Sequence, residues 1–256
     1  METVEFCTKS AKLHRVIRLI ALIVVCGLAS ISRATDWNSV VLEEVAAMPT
    51  GGGYSISRSA KAALQKAIGD ATGPVNPAVA KPSFCSGATY LVLLKVLERA
   101  PIPAAARPAL AVGNQPDGVG VWGRWNANGP GTARLFYELN AGRNFTELSE
   151  ARPGDFLKIF WTDEIGSRER GHSVVFLGTE ERDGEPYVRY WSSNQMGGYG
   201  VKAVSVKKIG RMLFSRLERP DTFALASALP GKDAYLAAML VRPSAPEEMA
   251  RLTGSE

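Results

Sequence analysis

HSVVFLGTEERDGEPYVRYWSS, residues 172–193, is the stretch that decides the fold class. Two runs rich in Val, Phe, Tyr and Trp flank the pair Asp183-Gly184, and such a pair between apolar runs signals a two-stranded antiparallel hairpin. DFLKIFW, from Asp155, reads as an earlier strand, and a further one is expected at about 200–206. Upstream the texture is helical. SRSAKAALQKAIGD, residues 57–70, has a capping-type start and apolar residues at Ala60, Ala63, Leu64 and Ile68, the spacing of an amphipathic helix. KPSFCSGATYLVLLKVLERA, residues 81–100, predicts a second helix from near Ser83–Ser86 to about Arg99; it is apolar on almost every side and so belongs inside. Helices followed by antiparallel strands give α+β rather than alternating α/β, with the cysteine-bearing helix packed on the sheet.

The beginning of the chain is read differently. Lys9, Lys12, Arg15 and Arg18 lead into LIALIVVCGLASIS, and Ser32-Arg33-Ala34 offers small residues where a signal peptidase reads them. The apolar run Leu19–Ser32 spans 14 residues, whereas a membrane-crossing helix takes roughly 20. Residues 1–34 are therefore expected to be a signal peptide cut near Ala34, with export to the periplasm or beyond and no stable membrane span after processing. The remaining 222 residues, 35–256, suffice for a single domain. The segment also carries five of the 30 Lys and Arg and two of the 25 Asp and Glu, leaving 25 basic against 23 acidic residues. That balance, without a basic run interleaved with aromatics, argues against nucleic acid as a partner.

Processing would also remove Cys7, Cys26 and His14, leaving Cys85 and His172 as the one cysteine and the one histidine. A single thiol in an oxidising compartment is an inert buried side chain, half of an intermolecular bridge, or a reactive group. Cys85 falls at the start of its helix, where unpaired amides and partial positive charge favour a thiolate and could receive charge developing on a carbonyl oxygen. His172 opens a strand, which leaves its ring at a sheet rim. Folding the hairpin about Asp183-Gly184 puts positions near 194–196 opposite His172, with the register open by about one residue. Asn194 is the expected orienting partner, since an amide oxygen can hold an imidazole without competing for its proton; Gln195 and Ser193 are the alternatives.

FCSG at 84–87 ahead of an apolar helix, RPGDF at 152–156 opening a strand, and GHSVVFLG at 171–178 together resemble the NlpC-type papain-like cysteine peptidases, relatives of the CHAP amidases. The resemblance covers roughly residues 50–206. It implies a papain-like fold in which Cys85 is the nucleophile, His172 the general base and Asn194 the third member of a triad. It also implies a peptidoglycan peptide as substrate, cleaved as by an endopeptidase or amidase, with no cofactor. Tyr54, in GGGYSIS, is similar to a tyrosine that members place beside the cysteine, and it is taken with Ser86 as a substrate-binding candidate. Relatives usually carry aspartate before the cysteine and histidine as third member, where this chain has Phe84 and Asn194. The interval from Cys85 to His172 is longer, and residues 101–131, rich in Pro, Gly and Asn, read as an irregular insertion with functional surface.

Blander readings accompany these. Cys85 could be structural in an exported binding protein of the same fold, or the hydrolase or acyltransferase could act on an amide or ester outside the cell wall. Trp122, Trp125, Trp161 and Trp191 could line a sugar platform, although core positions suit most of them better. Asp155 is expected to bond local backbone. One histidine and one cysteine far apart give no metal-ligand spacing.

Overall fold

A computed structural model describes residues 35–111 and 121–255. The expected signal peptide and its cleavage site lie outside the described residues, as does the middle of the 101–131 stretch. Residues 36–256 form one unit, mixing helices with an antiparallel sheet as the sequence led us to expect.

Helix α1 (Trp37–Ala47) leads into a two-residue strand, β1 (Gly51–Gly52). Helix α2 (Arg58–Ile68) starts where the pattern placed it, with the Ser57 hydroxyl accepting from the Ala60 amide. Helix α3 (Cys85–Glu98) is buried along nearly its whole circumference, and Leu91, Val92 and Leu93 are fully enclosed. A short hairpin, β2 (Val121–Trp122) and β3 (Trp125–Asn126), precedes α4 (Gly131–Glu138) and β4 (Gly142–Phe145). Five strands follow: β5 (Phe156–Phe160), β6 (His172–Arg182), β7 (Glu185–Asn194), β8 (Gly198–Ser205) and β9 (Arg211–Leu217). Helices α5 (Ala234–Ala238) and α6 (Pro246–Thr253) close the chain.

The sheet has the order β1-β8-β7-β6-β5-β9-β4, and each neighbouring pair is antiparallel. Helix α3 lies on β6 and β7. Alternation along β5 shows how the two faces divide: Phe156 and Phe160 join the core shared with α3, whereas Leu157 and Ile159 join a smaller cluster on the opposite face with Val174, Phe176, Tyr190 and Phe214. Both faces of β5 are buried, so this strand reads as an apolar run interrupted only by Lys158.

The described parts of the 101–131 stretch carry regular structure. They contain a 3-10 segment at Ala104–Leu110 and the β2–β3 hairpin, and Trp122 and Trp125 are buried. The Trp122 indole N–H donates to the Thr89 hydroxyl on α3 at 3.0 Å. Large aromatic area thus ties this segment into the core, outweighing the Gly and Pro content that makes it look like a surface loop. Trp191 is also buried, while Trp161 is 42% exposed, so the four tryptophans form no shared platform.

Asp155 does bond local backbone, accepting from the Arg152 amide at 2.8 Å. It also accepts from Arg216 on β9 and from Asn38 on α1, so one buried carboxylate joins three elements.

Candidate functional site

The hairpin sets the site's register. Asp183 and Gly184 both take positive φ, 51° and 73°, as a two-residue turn of the primed type requires. Near the turn the pairs are Arg182↔Glu185 up to Gly178↔Arg189; beyond Gly178 the register slips by one, to Phe176↔Tyr190 and Val175↔Trp191. Leu177 is the extra residue of this β-bulge. Without the slip, His172 would lie opposite Gln195. Continuing the slipped register brings Asn194 opposite His172, and Asn194 Oδ1 lies 3.3 Å from His172 Nε2.

The direction of that hydrogen bond follows from the amide's other contacts. Asn194 Nδ2 donates to the carbonyls of Ser192 at 3.1 Å and Gly200 at 2.9 Å. The side-chain oxygen must therefore face the ring, so His172 Nε2 carries the proton and Nδ1 is left for a second partner. The alternatives point elsewhere: Ser193 accepts from the Ser83 hydroxyl on the helix side at 2.7 Å, and Gln195 is exposed in the turn after β7. Trp161 stacks near the imidazole, with centroids 6.1 Å apart and planes at 26°. Tyr190 meets it edge-on at 5.6 Å.

Cys85 is the first residue of α3 and half-buried. Phe84, at the N-cap, provides no side-chain hydrogen bond to the helix start. Its ring is buried beside Gly87, where an added Cβ would come within 3.0 Å of Cζ. An apolar cap therefore leaves the first amides of α3 available to a negative charge at Cys85 or on a bound carbonyl oxygen.

Burial pushes the Cys85 thiol up, but the His172 ring beside it, the His172 and Lys158 charges and the Ser173 backbone amide outweigh this and bring it down to about 6. Tyr54 is pushed up to about 12 by burial and by the charge of, and hydrogen bond to, Cys85. The Gly51–Tyr54 segment is held at both ends: Gly51 and Gly52 pair with β8, and Tyr54 bridges Ser83 just ahead of α3. Cys85, Tyr54 and Ser86 all line a cleft of about 260 Å³. The sequence candidates thus converge: Cys85, His172 and Asn194 meet at one end of α3, with Tyr54 and Ser86 beside them.

Several residues at the site escaped the sequence reading. Lys158, on β5, is 4% exposed and lines the same cleft. Its Nζ donates to the Ala127 carbonyl at 2.6 Å and the Ser173 hydroxyl at 3.2 Å. Burial pushes its ammonium down to about 8, against the pull of Cys85 and Glu169. Ala127 and Asn128 bring the 101–131 stretch to the cleft wall. Asn128 Nδ2 donates to the Met239 carbonyl at 2.9 Å, while its buried Oδ1 has no hydrogen-bond partner among the described residues. Lys158 had a signal: it is a lysine at an inward position of DFLKIFW, where an apolar residue would be the ordinary choice. Among the described residues, no group of three or more His, Cys, Asp or Glu side chains could hold a metal ion, and no helix is long and apolar enough to cross a membrane.

No family model, curated protein or solved structure matches this chain.

Proposed function

We propose that this protein is an exported cysteine hydrolase of the NlpC-type papain-like superfamily, cleaving an amide bond in the peptide part of peptidoglycan. The observation that carries the reading is the line Cys85, His172, Asn194: a thiol at a helix start, beside an imidazole whose far nitrogen donates to an oriented amide oxygen at 3.3 Å. Nucleophilic catalysis needs that arrangement, because the thiolate attacks and the base must keep its ring and tautomer fixed.

In this reading the Cys85 sulfur attacks the carbonyl carbon, and the oxygen's developing charge is received by the unpaired amides at the start of α3. His172 gives the thiol's proton to the departing nitrogen as the carbon–nitrogen bond breaks, leaving an acyl thioester. Water, deprotonated by His172, then adds to the thioester. The carbon–sulfur bond breaks and a carboxylic acid leaves. Tyr54 and Ser86 line the cleft that would hold the acyl chain. The cell-wall substrate and the papain-like assignment rest on the motifs FCSG, RPGDF and GHSVVFLG, and export rests on the pattern of residues 1–34.

The test is digestion of purified peptidoglycan by the protein and by Cys85→Ala, with soluble fragments compared by mass spectrometry. New peptide ends that require Cys85 support the proposal. Identical fragment profiles from the two proteins would remove the cell-wall assignment. An unreactive Cys85 would favour a binding protein.

A further inference from the structure

Lys158 poses a charge-balance problem. A buried ammonium is costly unless an anion or a full set of hydrogen bonds compensates it. Here Nζ has two neutral acceptors, the Ala127 carbonyl and the Ser173 hydroxyl, and among the described residues it forms no ion pair with a carboxylate. Glu169 attracts it only from a distance; that carboxylate is occupied near the surface by the amides of Trp161 and Gly171. The group that shares the cleft with Lys158 and can carry a negative charge is Cys85.

The strand geometry makes this pairing deliberate. Lys158 lies between Leu157 and Ile159, whose side chains enter the opposite core, so Lys158 points to the α3 side of the sheet. It pairs across β5 and β6 with Ser173, whose hydroxyl holds Nζ and whose amide faces the Cys85 sulfur. Gly171 supplies the remaining room: it has φ +68°, and a Cβ there would come within 2.7 Å of Lys158 Cε.

We infer that Lys158 is a positioning residue that gives the Cys85 thiolate a second counter-charge beside that of His172, so that the thiolate persists when His172 is neutral. This rests on the hydrolase reading and deepens it. A thiolate held only by imidazolium depends on the charge of a ring that gives up and regains a proton in the course of the reaction. Lys158 supplies a counter-charge that takes no part in those transfers, both before attack and when the sulfur leaves the acyl group. The remaining charged groups around the cleft are Lys61 on α2 and Arg170 before β6, both cations, with Tyr54 protonated.

The experiment follows the ionisation of Cys85 by the pH dependence of iodoacetamide alkylation and by thiolate absorbance, in wild type, Lys158→Met, Lys158→Arg and His172→Ala. Lys158→Met is expected to move the midpoint up by about one to three pH units, the size of one nearby opposite charge. Lys158→Arg, which keeps the charge, is expected to restore most of the shift, a rescue that a purely packing role would not give. His172→Ala is expected to retain a thiolate at neutral pH, and this arm stands even if Lys158→Met does not fold. A wild-type midpoint in folded Lys158→Met, or an ordinary thiol midpoint near 8.5 in His172→Ala, overturns the inference and leaves the hydrolase reading intact. An ordinary midpoint in the wild type overturns both.

Discussion

Arg216 on β9 grips Asp155 with two parallel hydrogen bonds, Nε to Oδ1 at 2.8 Å and Nη2 to Oδ2 at 2.7 Å, and neither side chain is more than 7% exposed. The pair sits where β5 begins, and β5 is the strand that carries Lys158. Removing one partner leaves a buried charge uncompensated, which costs about 3–5 kcal/mol. Asp155→Ala should therefore lower stability by about that amount in urea denaturation, whereas Asp155→Ala combined with Arg216→Met should recover part of the loss. Equal loss in the single and double variants would show that the charge itself is not the burden.

Asn194 holds His172 through one atom and its own position through two carbonyl acceptors. Asn194→Ala frees the ring to rotate, and misplacement of a catalytic group by about 1 Å can cost about a hundredfold in rate. Hydrolysis should fall by about that factor. The alkylation midpoint of Cys85 should stay well below that of an ordinary thiol, because Lys158 is untouched. Single-turnover rates and alkylation measured on the same preparation separate the two effects.

The lowered thiol also links pH to stability. Between about 6 in the folded protein and 9 for a free thiol, the unfolded chain binds a proton that the folded chain does not. Stability from this group therefore rises with pH across that window, is fully present above about 9 and is lost as pH falls through about 6. Lys158, lowered to about 8 from 10.5, acts with the same sign at the alkaline end. The thermal midpoint should climb from pH 6 to 8.5 in wild type and climb less in Cys85→Ala, as calorimetry would show.

Gly171→Ala tests the space around the lysine. A left-handed φ costs a non-glycine residue about 1–2 kcal/mol, and the new methyl would press on Lys158 Cε. The expected result is a lower thermal midpoint together with a Cys85 alkylation midpoint displaced upward. A stability loss with no change in Cys85 would place Lys158 too far from the sulfur to matter.

Much of this architecture was legible in local patterns. Ser57 as a cap, the fully apolar α3 and the Asp183-Gly184 turn each carry their own chemistry, and together they brought Cys85, His172 and Asn194 into one neighbourhood. What stayed hidden depends on distant partners. Helix α1 is fixed through Asn38 to the Pro153 carbonyl and Asp155, more than a hundred residues away, and β9 lies between β5 and β4, with no hairpin turn joining it to either. The sequence Asn144-Phe145-Thr146 reads as a glycosylation triplet, yet Asn144 is buried and donates to the carbonyls of Ala133 and Thr253. Lys158 alternates with Phe156 and Phe160 in the sequence, but its two acceptors, the Ala127 carbonyl and the Ser173 hydroxyl, come from other segments that only the fold brings beside it.

The bulge at Leu177 has an arithmetical side. Residues that face one another across a hairpin closed by a two-residue turn are always separated by an odd number of positions, as Arg182 and Glu185 are. His172 and Asn194 are separated by 22, an even number, so no regular hairpin around Asp183-Gly184 can set them opposite each other. One unpaired residue between them converts even to odd. The same chain with Leu177 paired instead of bulged would keep its turn, its strands and its histidine, and would present glutamine where the asparagine now stands.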